Sequence, residues 1–391
     1  MKTVAVIFGG QSTEHDVSII TAIASVIKPL ELSGEYRVEA VYIAKDGSWF
    51  WDDKLKEVSI YQNGGIEAFM QKAPKVMLQF DNGLTLVKSS QFAGRKAYRK
   101  IDVVFPAMHG THGEDGELMG LLEMAGVAYV GCEMPAAVLA MDKVLAKQVA
   151  ASQGVPTNKW LWFASRDFAN QPQDILARIE NLRYPLFVKP AHLGSSIGIS
   201  RVTDKSQLVN ALEVAVHYDD KVLVEEAVQN LIEVTLPIMG NEEPVPAFLE
   251  QPLMKEDDFF DFDTKYMKGG KGGAKGGAKM GGKNSAQGYS KIPADIPDDL
   301  YKKAEKVGLD VYKALGCMGF ARIDMLIDGK TGDVYFNEVN PMPGSLYAHN
   351  WRSKGISNVE LVGRLIRYGE ERLAAKRRLQ TSFATSFLKQ F

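Results

Sequence analysis

The sequence predicts an α/β protein, α+β in parts, whose 391 residues can build two or three domains. Three observations carry that prediction. Apolar runs of strand length repeatedly enter Gly-rich loops, and two of these loops lead into amphipathic helices. Two polar-patterned strands near the C-terminus place acids and an amide at a spacing of two. Between these regions lies one Gly/Lys tract that has no apolar face to bury.

The elements follow in order. Residues 3–8 form an apolar run that meets Gly9-Gly10-Gln11-Ser12-Thr13-Glu14-His15-Asp16, and a helix is expected from about Val17 to Leu30. This is the strand, turn and helix of an open α/β sheet. A second strand, Val38–Ala44, stops at Lys45-Asp46-Gly47, a turn signal. Residues 46–100 are mixed, with short β-like runs such as Thr85–Lys88. A buried strand over Ile101–Met108 enters a second loop, His109–Gly116. The helix Leu118–Ala125 and the strand Val127–Val130 close a Rossmann-like first unit, 1–131. The second unit, 132–224, opens with a helix over Pro135–Gln153, stopped by Gly154-Val155-Pro156. Its strand Pro185–Pro190 enters a third loop, Gly194-Ser195-Ser196-Ile197-Gly198, followed by a helix over 206–216 and a strand Lys221–Glu226. The third unit, 225–391, carries strands at 232–239, 320–327 and 333–339 around a helix near 298–315. Residues 375–391 read as a solvated helical tail.

The bulk numbers exclude several classes. Hydrophobic content of 46% and charged content of 24% describe an ordinary globular chain. A net charge of −2 gives no general electrostatic footprint for nucleic acid or membrane. No apolar run is long enough to span a bilayer, and the N-terminus lacks the features of a signal peptide. Only Cys132 and Cys317 occur, with no CxxC or neighbouring His. They read as packing residues in a reducing, cytoplasmic setting.

The chemistry concentrates in a few places. Glu338 and Asn340 share a strand face, as do Arg322 and Asp324. Oxygen donors without His or Cys suit Mg²⁺, which arrives with substrate phosphates. An Arg beside them can neutralise a transferring phosphoryl group or a developing oxyanion. Read alone, the same stretch also fits an edge strand with solvated polar residues. The Gly194–Gly198 loop after Lys189 suits phosphate oxygens, yet it has neither Walker-A nor dinucleotide spacing and equally fits a turn. Lys143 is a further phosphate candidate. Residues 268–283, with eight glycines and five lysines, read as a surface loop or as a cationic lid between about 255 and 292.

Taken together, VAVIFGGQSTEHDVS (4–18), HGTHGEDG (109–116), AMDK (140–143), FVKPAHLGSSIGIS (187–200), KVLVEEAV (221–228), DFDTKY (261–266), LGCMGFARIDM (315–325) and FNEVNPMPGS (336–345) run in the order seen in ATP-grasp ligases. The chain resembles the D-alanine–D-alanine ligases. The resemblance implies a three-domain ATP-grasp ligase, with ATP and D-alanine as substrates and two Mg²⁺ (Mn²⁺ as substitute) held by Asp324, Glu338 and Asn340. It assigns Lys143, Lys189, Ser195, Ser196 and Lys265 to ATP phosphates, Glu225, Glu226, Ala227 and Val228 to adenine, and Glu233 to ribose. It assigns Glu14 to the first D-alanine, His109 (oriented by Glu114) to the second, and Arg322 with the N–H of Gly344 to the oxyanion. Ser195 and Tyr266 would join Glu14 to lock the lid. Tyr266 resembles the dipeptide-forming branch, where Phe resembles ester-forming relatives. It also implies a cytoplasmic homodimer acting in peptidoglycan precursor synthesis. Alternatives are D-lactate or D-serine as acceptor, or a non-catalytic nucleotide-binding regulator. Pro341 and Ser345-Leu346 depart from the family pattern and leave the acceptor open.

Overall fold

A computed structural model describes residues 1–81, 83–89, 96–253 and 290–390. Strand β1 (Lys2–Gly9) runs into α1 (His15–Ile20), which continues through a π-helical stretch (Thr21–Ile27) into α2 (Lys28–Ser33). Then follow β2 (Tyr36–Ile43), β3 (Trp49–Trp51), α3 (Gly65–Met70), a meander of β4 (Val76–Phe80), β5 (Leu84–Ser89) and β6 (Lys96–Ile101), then β7 (Val103–Pro106), α4 (Glu117–Ala125) and β8 (Ala128–Tyr129). The main sheet has the order β3-β2-β1-β7-β8, with β1 parallel to both β2 and β7. Val4 to Phe8 are wholly buried, which is why β1 reads as an unbroken apolar run rather than an alternating one. The chain leaves β1 toward β2 on one side and returns to β7 on the other. The Gly9–Glu14 and His109–Glu114 loops therefore meet at the crevice where ligands bind in open α/β sheets.

The next unit holds α5 (Met134–Met141), α6 (Lys143–Ser152), β9 (Trp160–Ala164), α7 (Ser165–Asn170), α8 (Pro172–Ile179), β10 (Leu186–Pro190), β11 (Ser200–Val202), α9 (Lys205–Tyr218) and β12 (Lys221–Glu226). Its antiparallel sheet has the order β11-β10-β12-β9. The single helix expected over 135–153 is two helices. Asp142 leaves helical geometry (φ −107°, ψ 101°) and caps α6, its Oδ1 accepting from Val144 N at 2.9 Å and Leu145 N at 3.0 Å.

The last unit contains β13 (Leu231–Gly240), β14 (Val245–Pro246), β15 (Gln251–Pro252), β16 (Ser290–Lys291), α10 (Asp298–Ala314), β17 (Gly319–Asp328) and β18 (Asp333–Asn340), then α11 (Ala348–Ser353) and α12 (Asn358–Lys376). The sheet order is β14-β13-β17-β18, all antiparallel. α10 turns Ala304, Val307, Val311 and Tyr312 onto it and keeps Asp298 and Asp299 in its first turn, where the helix dipole favours them. Cys132 and Cys317 are buried in the same core, without a disulfide, as their packing reading requires.

α12 crosses back to the first sheet. Leu361, Val362, Leu365 and Ile366 join one apolar core with Val4, Val6 and Phe8, each worth about 1.5–3 kcal/mol on burial. Gly369 lies so close to the Tyr129 carbonyl that any Cβ would collide with it. The Arg372 guanidinium donates to the carbonyls of Tyr129 (2.8 Å) and Gly131. The helical tail expected over 375–391 is corrected. The helix ends at Lys376, the exposed residues 380–386 are irregular, and one 3-10 turn, Phe387–Gln390, follows. Thr381, Ser382, Thr385 and Ser386 favour local backbone bonding over helix where no apolar face is buried.

Candidate active site

The acidic face forms as its spacing demands. Pairing of β17 with β18 sets Arg322 opposite Asn340 and Asp324 opposite Glu338. Arg322 grips Asp324 with two bonds, Nε to Oδ1 at 2.7 Å and an Nη to Oδ2 at 2.5 Å. Thr235 Oγ donates to Asp324 Oδ1 at 2.6 Å, and the Asn340 amide to Oδ2 at 3.0 Å. Burial alone would loosen the proton on Arg322. The Asp324 charge outweighs it and holds the guanidinium firmly cationic. Lys143 Nζ stands 3.5 Å from Glu338 Oε2 and donates to the Leu193 carbonyl at 2.7 Å. Asp324, Glu338 and Asn340 thus converge on one patch beside Lys143. The donors are all oxygens of carboxylates and an amide, a chemistry that fits a hard divalent cation. A cation at Asp324 must share that carboxylate with Arg322.

Pairing slips by one residue after Asp324, so Asn337 is the extra residue of a bulge. Its Oδ1 accepts from Lys189 Nζ at 3.3 Å. Lys189 also pairs with Glu225, as does Lys147 Nζ, 3.1 Å from Oε2. Glu225 is 1% exposed and sits between two ammonium groups. Burial raises its pKa, but Lys147 and Lys189 prevail and bring it down to about 2. Lys147 donates further to Asn158 Oδ1 (2.9 Å) and the Phe336 carbonyl (3.2 Å), and Asn158 donates to the Glu226 carbonyl at 2.8 Å. Arg183 binds the Glu226 carboxylate through its backbone N–H and guanidinium. Ala227 N bonds the Pro185 carbonyl at 2.9 Å, and Val228 is half-buried beside it. Glu233 on β13 is near enough to raise the Lys189 pKa.

The two Gly-rich loops meet. Ser195 Oγ donates to Glu14 Oε1 at 2.6 Å across 181 residues of sequence. Glu14 immediately precedes α1 but makes no side-chain cap bond, so its carboxylate serves the cleft rather than the helix. Ser195 and Ser196 both have positive φ (54° and 60°), a conformation their loop imposes against preference.

The remaining wall comes from His109 and the segment after Pro343. His109 is buried and its pKa lowered, chiefly by desolvation. Its Nε2 meets Thr21 Oγ at 2.9 Å, and the same hydroxyl accepts from Ser345 N at 3.1 Å. Glu114 was expected to orient the imidazole, but its Oε2 is 4.0 Å from His109 Nδ1. It binds backbone instead, accepting from Gly110 N (2.7 Å) and Met342 N (3.1 Å). Burial, then the Glu14 charge, lift the Glu114 pKa to about 8. Gly344 is half-buried, and a Cβ there would enter open space. Ser345, Leu346 and Tyr347 then hold three consecutive left-handed conformations (φ 51°, 54°, 50°). Such residues cost about 1–2 kcal/mol each. The turn sinks Leu346 into the core and lays the Tyr347 ring 5.1 Å from the Arg322 guanidinium.

Lys265, Tyr266 and the Gly/Lys tract lie outside the described residues. Lys147, Asn337, Thr21, Thr235 and Tyr347 were not singled out from sequence. Only Lys147 carried a signal: it sits four residues after Lys143 and so shares its helix face.

Comparison with known proteins shows the family. Residues 3–132 match the family described as D-ala D-ala ligase N-terminus, and residues 149–367 match D-ala D-ala ligase C-terminus. A D-alanine--D-alanine ligase from Acetivibrio thermocellus is 36% identical over 384 residues, covering 93% of this chain and 95% of that protein. One from Chloroherpeton thalassium is 35% identical, with 96% and 98% covered. Among solved structures, the VanG D-Ala:D-Ser ligase from Enterococcus faecalis superposes with a TM-score of 0.75 at 30% identity, covering 94% of this chain and 99% of that one. The D-alanine-D-alanine ligase from Coxiella burnetii gives 0.77 at 24% identity, covering 96% of each chain; this likeness bears on fold alone. Among the described residues no helix is long and apolar enough to cross a membrane.

Proposed function

The chain belongs to the D-alanine–D-alanine ligase family, an ATP-grasp family, and from that premise we propose that it joins two D-alanines into D-alanyl-D-alanine with ATP as co-substrate. The observation that carries this reading is the convergence of Asp324, Glu338, Asn340 and Arg322 on facing strands beside Lys143. Lys143, Lys189 and Lys265 bind the ATP phosphates, with Ser195 and Ser196 closing over them. Glu225, with Glu226, Ala227 and Val228, receives adenine, and Glu233 the ribose. Asp324, Glu338 and Asn340 hold two Mg²⁺ (or Mn²⁺), which when bound neutralise phosphate charge.

Glu14 binds the ammonium of the first D-alanine, whose carboxylate attacks the γ-phosphorus and releases ADP, leaving a D-alanyl phosphate. The amine of the second D-alanine then attacks the acyl carbon. Arg322 and the Gly344 N–H stabilise the tetrahedral oxyanion. The C–O bond to phosphate breaks, inorganic phosphate departs, and the amine proton is lost near His109, which burial keeps neutral. Tyr266 joins Glu14 and Ser195 when the lid closes. The chain divides into 1–131, 132–224 and 225–391, and acts in the cytoplasm as a homodimer for peptidoglycan precursors.

A second reading, D-serine as acceptor, is favoured by the likeness to the VanG enzyme and by the departures at Pro341 and Ser345-Leu346. Purified protein with MgATP and single acceptors separates the two. Phosphate release and dipeptide mass with D-alanine alone support the first. Release that requires D-serine beside D-alanine supports the second. No release with any acceptor refutes both.

A further inference from the structure

His192 belongs to none of the roles above, yet it occupies a built position. It lies between Lys189-Pro190 and the Gly194–Gly198 loop. Its Nε2 is 3.3 Å from Asp142 Oδ2 and its Nδ1 is 2.8 Å from Asp219 Oδ1. Its backbone N–H donates to Asp219 Oδ2 at 2.7 Å. Both ring nitrogens face carboxylates, so the ring acts as a doubly donating imidazolium and keeps no lone pair for a cation. The flanking residues are tied to Lys143 on both sides. The Ala191 carbonyl accepts from Lys143 N at 3.1 Å, and the Leu193 carbonyl accepts from Lys143 Nζ at 2.7 Å. Asp142 is also the cap of α6, the helix that carries Lys143 and Lys147.

We propose that His192 is a positioning residue for the nucleotide site: bridging Asp142 and Asp219, it fixes the Ala191–Leu193 segment from which the Lys143 ammonium and the Ser195 loop take their places. This rests on the reading of Lys143 as a phosphate ligand. The charged groups facing His192 are Asp142 before α6, Asp219 and Asp220 in the turn after α9, and Lys221 on β12, which itself pairs with Asp142. The acids outnumber the lysine. Hydrogen bonds to Asp142 and Asp219 raise the imidazole pKa to about 9, so the bridge is charged through neutral pH and loosens as pH climbs past that value.

The test is steady-state kinetics of the full chain with MgATP and D-alanine from pH 7 to 10. His192→Asn is expected to raise KM for ATP about tenfold at pH 7.5, the effect of losing the charge-assisted bridge, with kcat within twofold. His192→Lys, a cation at every pH tested, restores KM and removes the rise that the wild type shows above pH 9. Asp219→Asn, which cuts the far side of the bridge, gives the same KM shift and covers the case in which His192→Asn does not fold. Lys143→Met serves as the reference. If Lys143→Met raises KM while His192→Asn and Asp219→Asn do not, the His192 inference is overturned. If Lys143→Met leaves KM unmoved, the phosphate reading fails, and the inference with it.

Discussion

Two buried glutamates sit in opposite halves of the cleft, and their environments drive them in opposite directions. Glu225, in the lysine-rich half, lies between two ammonium groups and falls to about 2. Glu114, beside the segment after Pro343, has backbone donors, a desolvating shell and the Glu14 charge, and rises to about 8. Burial is common to both. What differs is whether the fold supplies a countercharge within ion-pair reach. One half of the cleft is built from paired strands and α6, which deliver charges in pairs. The other is built from loops that deliver backbone N–H groups and strained turns.

Breaking the charge pairing gives the largest expected effect. Glu225→Gln leaves Lys147 and Lys189 without their shared anion and is expected to cost about 3–5 kcal/mol of stability at pH 7, read from urea or thermal unfolding. The pH dependence carries a definite sign. Glu225 has a depressed pKa, so its contribution is whole above its ordinary 4.5 and fades as pH falls toward 2. The variant should lose that acid limb. Equal stability of wild type and variant at pH 7 would show that the lysines do not depend on this carboxylate.

Arg322→Met tests the strand-built half from the chemical side. It is expected to lower kcat about 10²–10³-fold while KM for ATP moves little, measured by phosphate release under saturating substrates. A drop confined to KM would mean that Arg322 binds the ground state instead.

Glu114→Gln sharpens the contrast. One backbone donor, from Gly110 or Met342, loses its acceptor, an expected cost of about 1–2 kcal/mol at pH 5. Because the folded pKa is raised, the favourable contribution of wild-type Glu114 is whole below 4.5 and drains as pH rises through 8. The gap between wild type and variant therefore narrows from pH 5 to pH 8 in paired melting curves. A gap that widens over that range contradicts the raised value.

The smallest effect comes from backbone strain. Ser345→Gly removes one left-handed penalty and is expected to stabilise the chain by about 0.5–1 kcal/mol. Destabilisation in the same unfolding assay would mean that the serine side chain outweighs its backbone.

The same contrast explains what the sequence disclosed. Strand periodicity forecast the shared faces of Arg322 with Asp324 and of Glu338 with Asn340, because side-chain direction in a strand follows from spacing alone. The first sheet and α10 were legible for a similar reason: apolar runs and stripes are local. The slip that turns Asn337 toward Lys189 was hidden, since a bulge is a property of two strands together. The left-handed run at Ser345–Tyr347 contains no glycine to announce it. The break at Asp142 could have been read, because an Asp ahead of a helical run is a capping signal that an unbroken apolar pattern on both sides masked.

The packing of α12 on the first sheet has a consequence for synthesis. A ribosome that has released residues 1–131 has delivered every strand of the first sheet and the Ile23, Ile27 and Leu30 that pack on it, but not the Leu361, Val362, Leu365 and Ile366 that complete the same core. Part of that core must wait, with apolar surface bare, until residues 361–366 emerge. Nascent chains arrested before residue 358 are thus natural clients for a holdase chaperone.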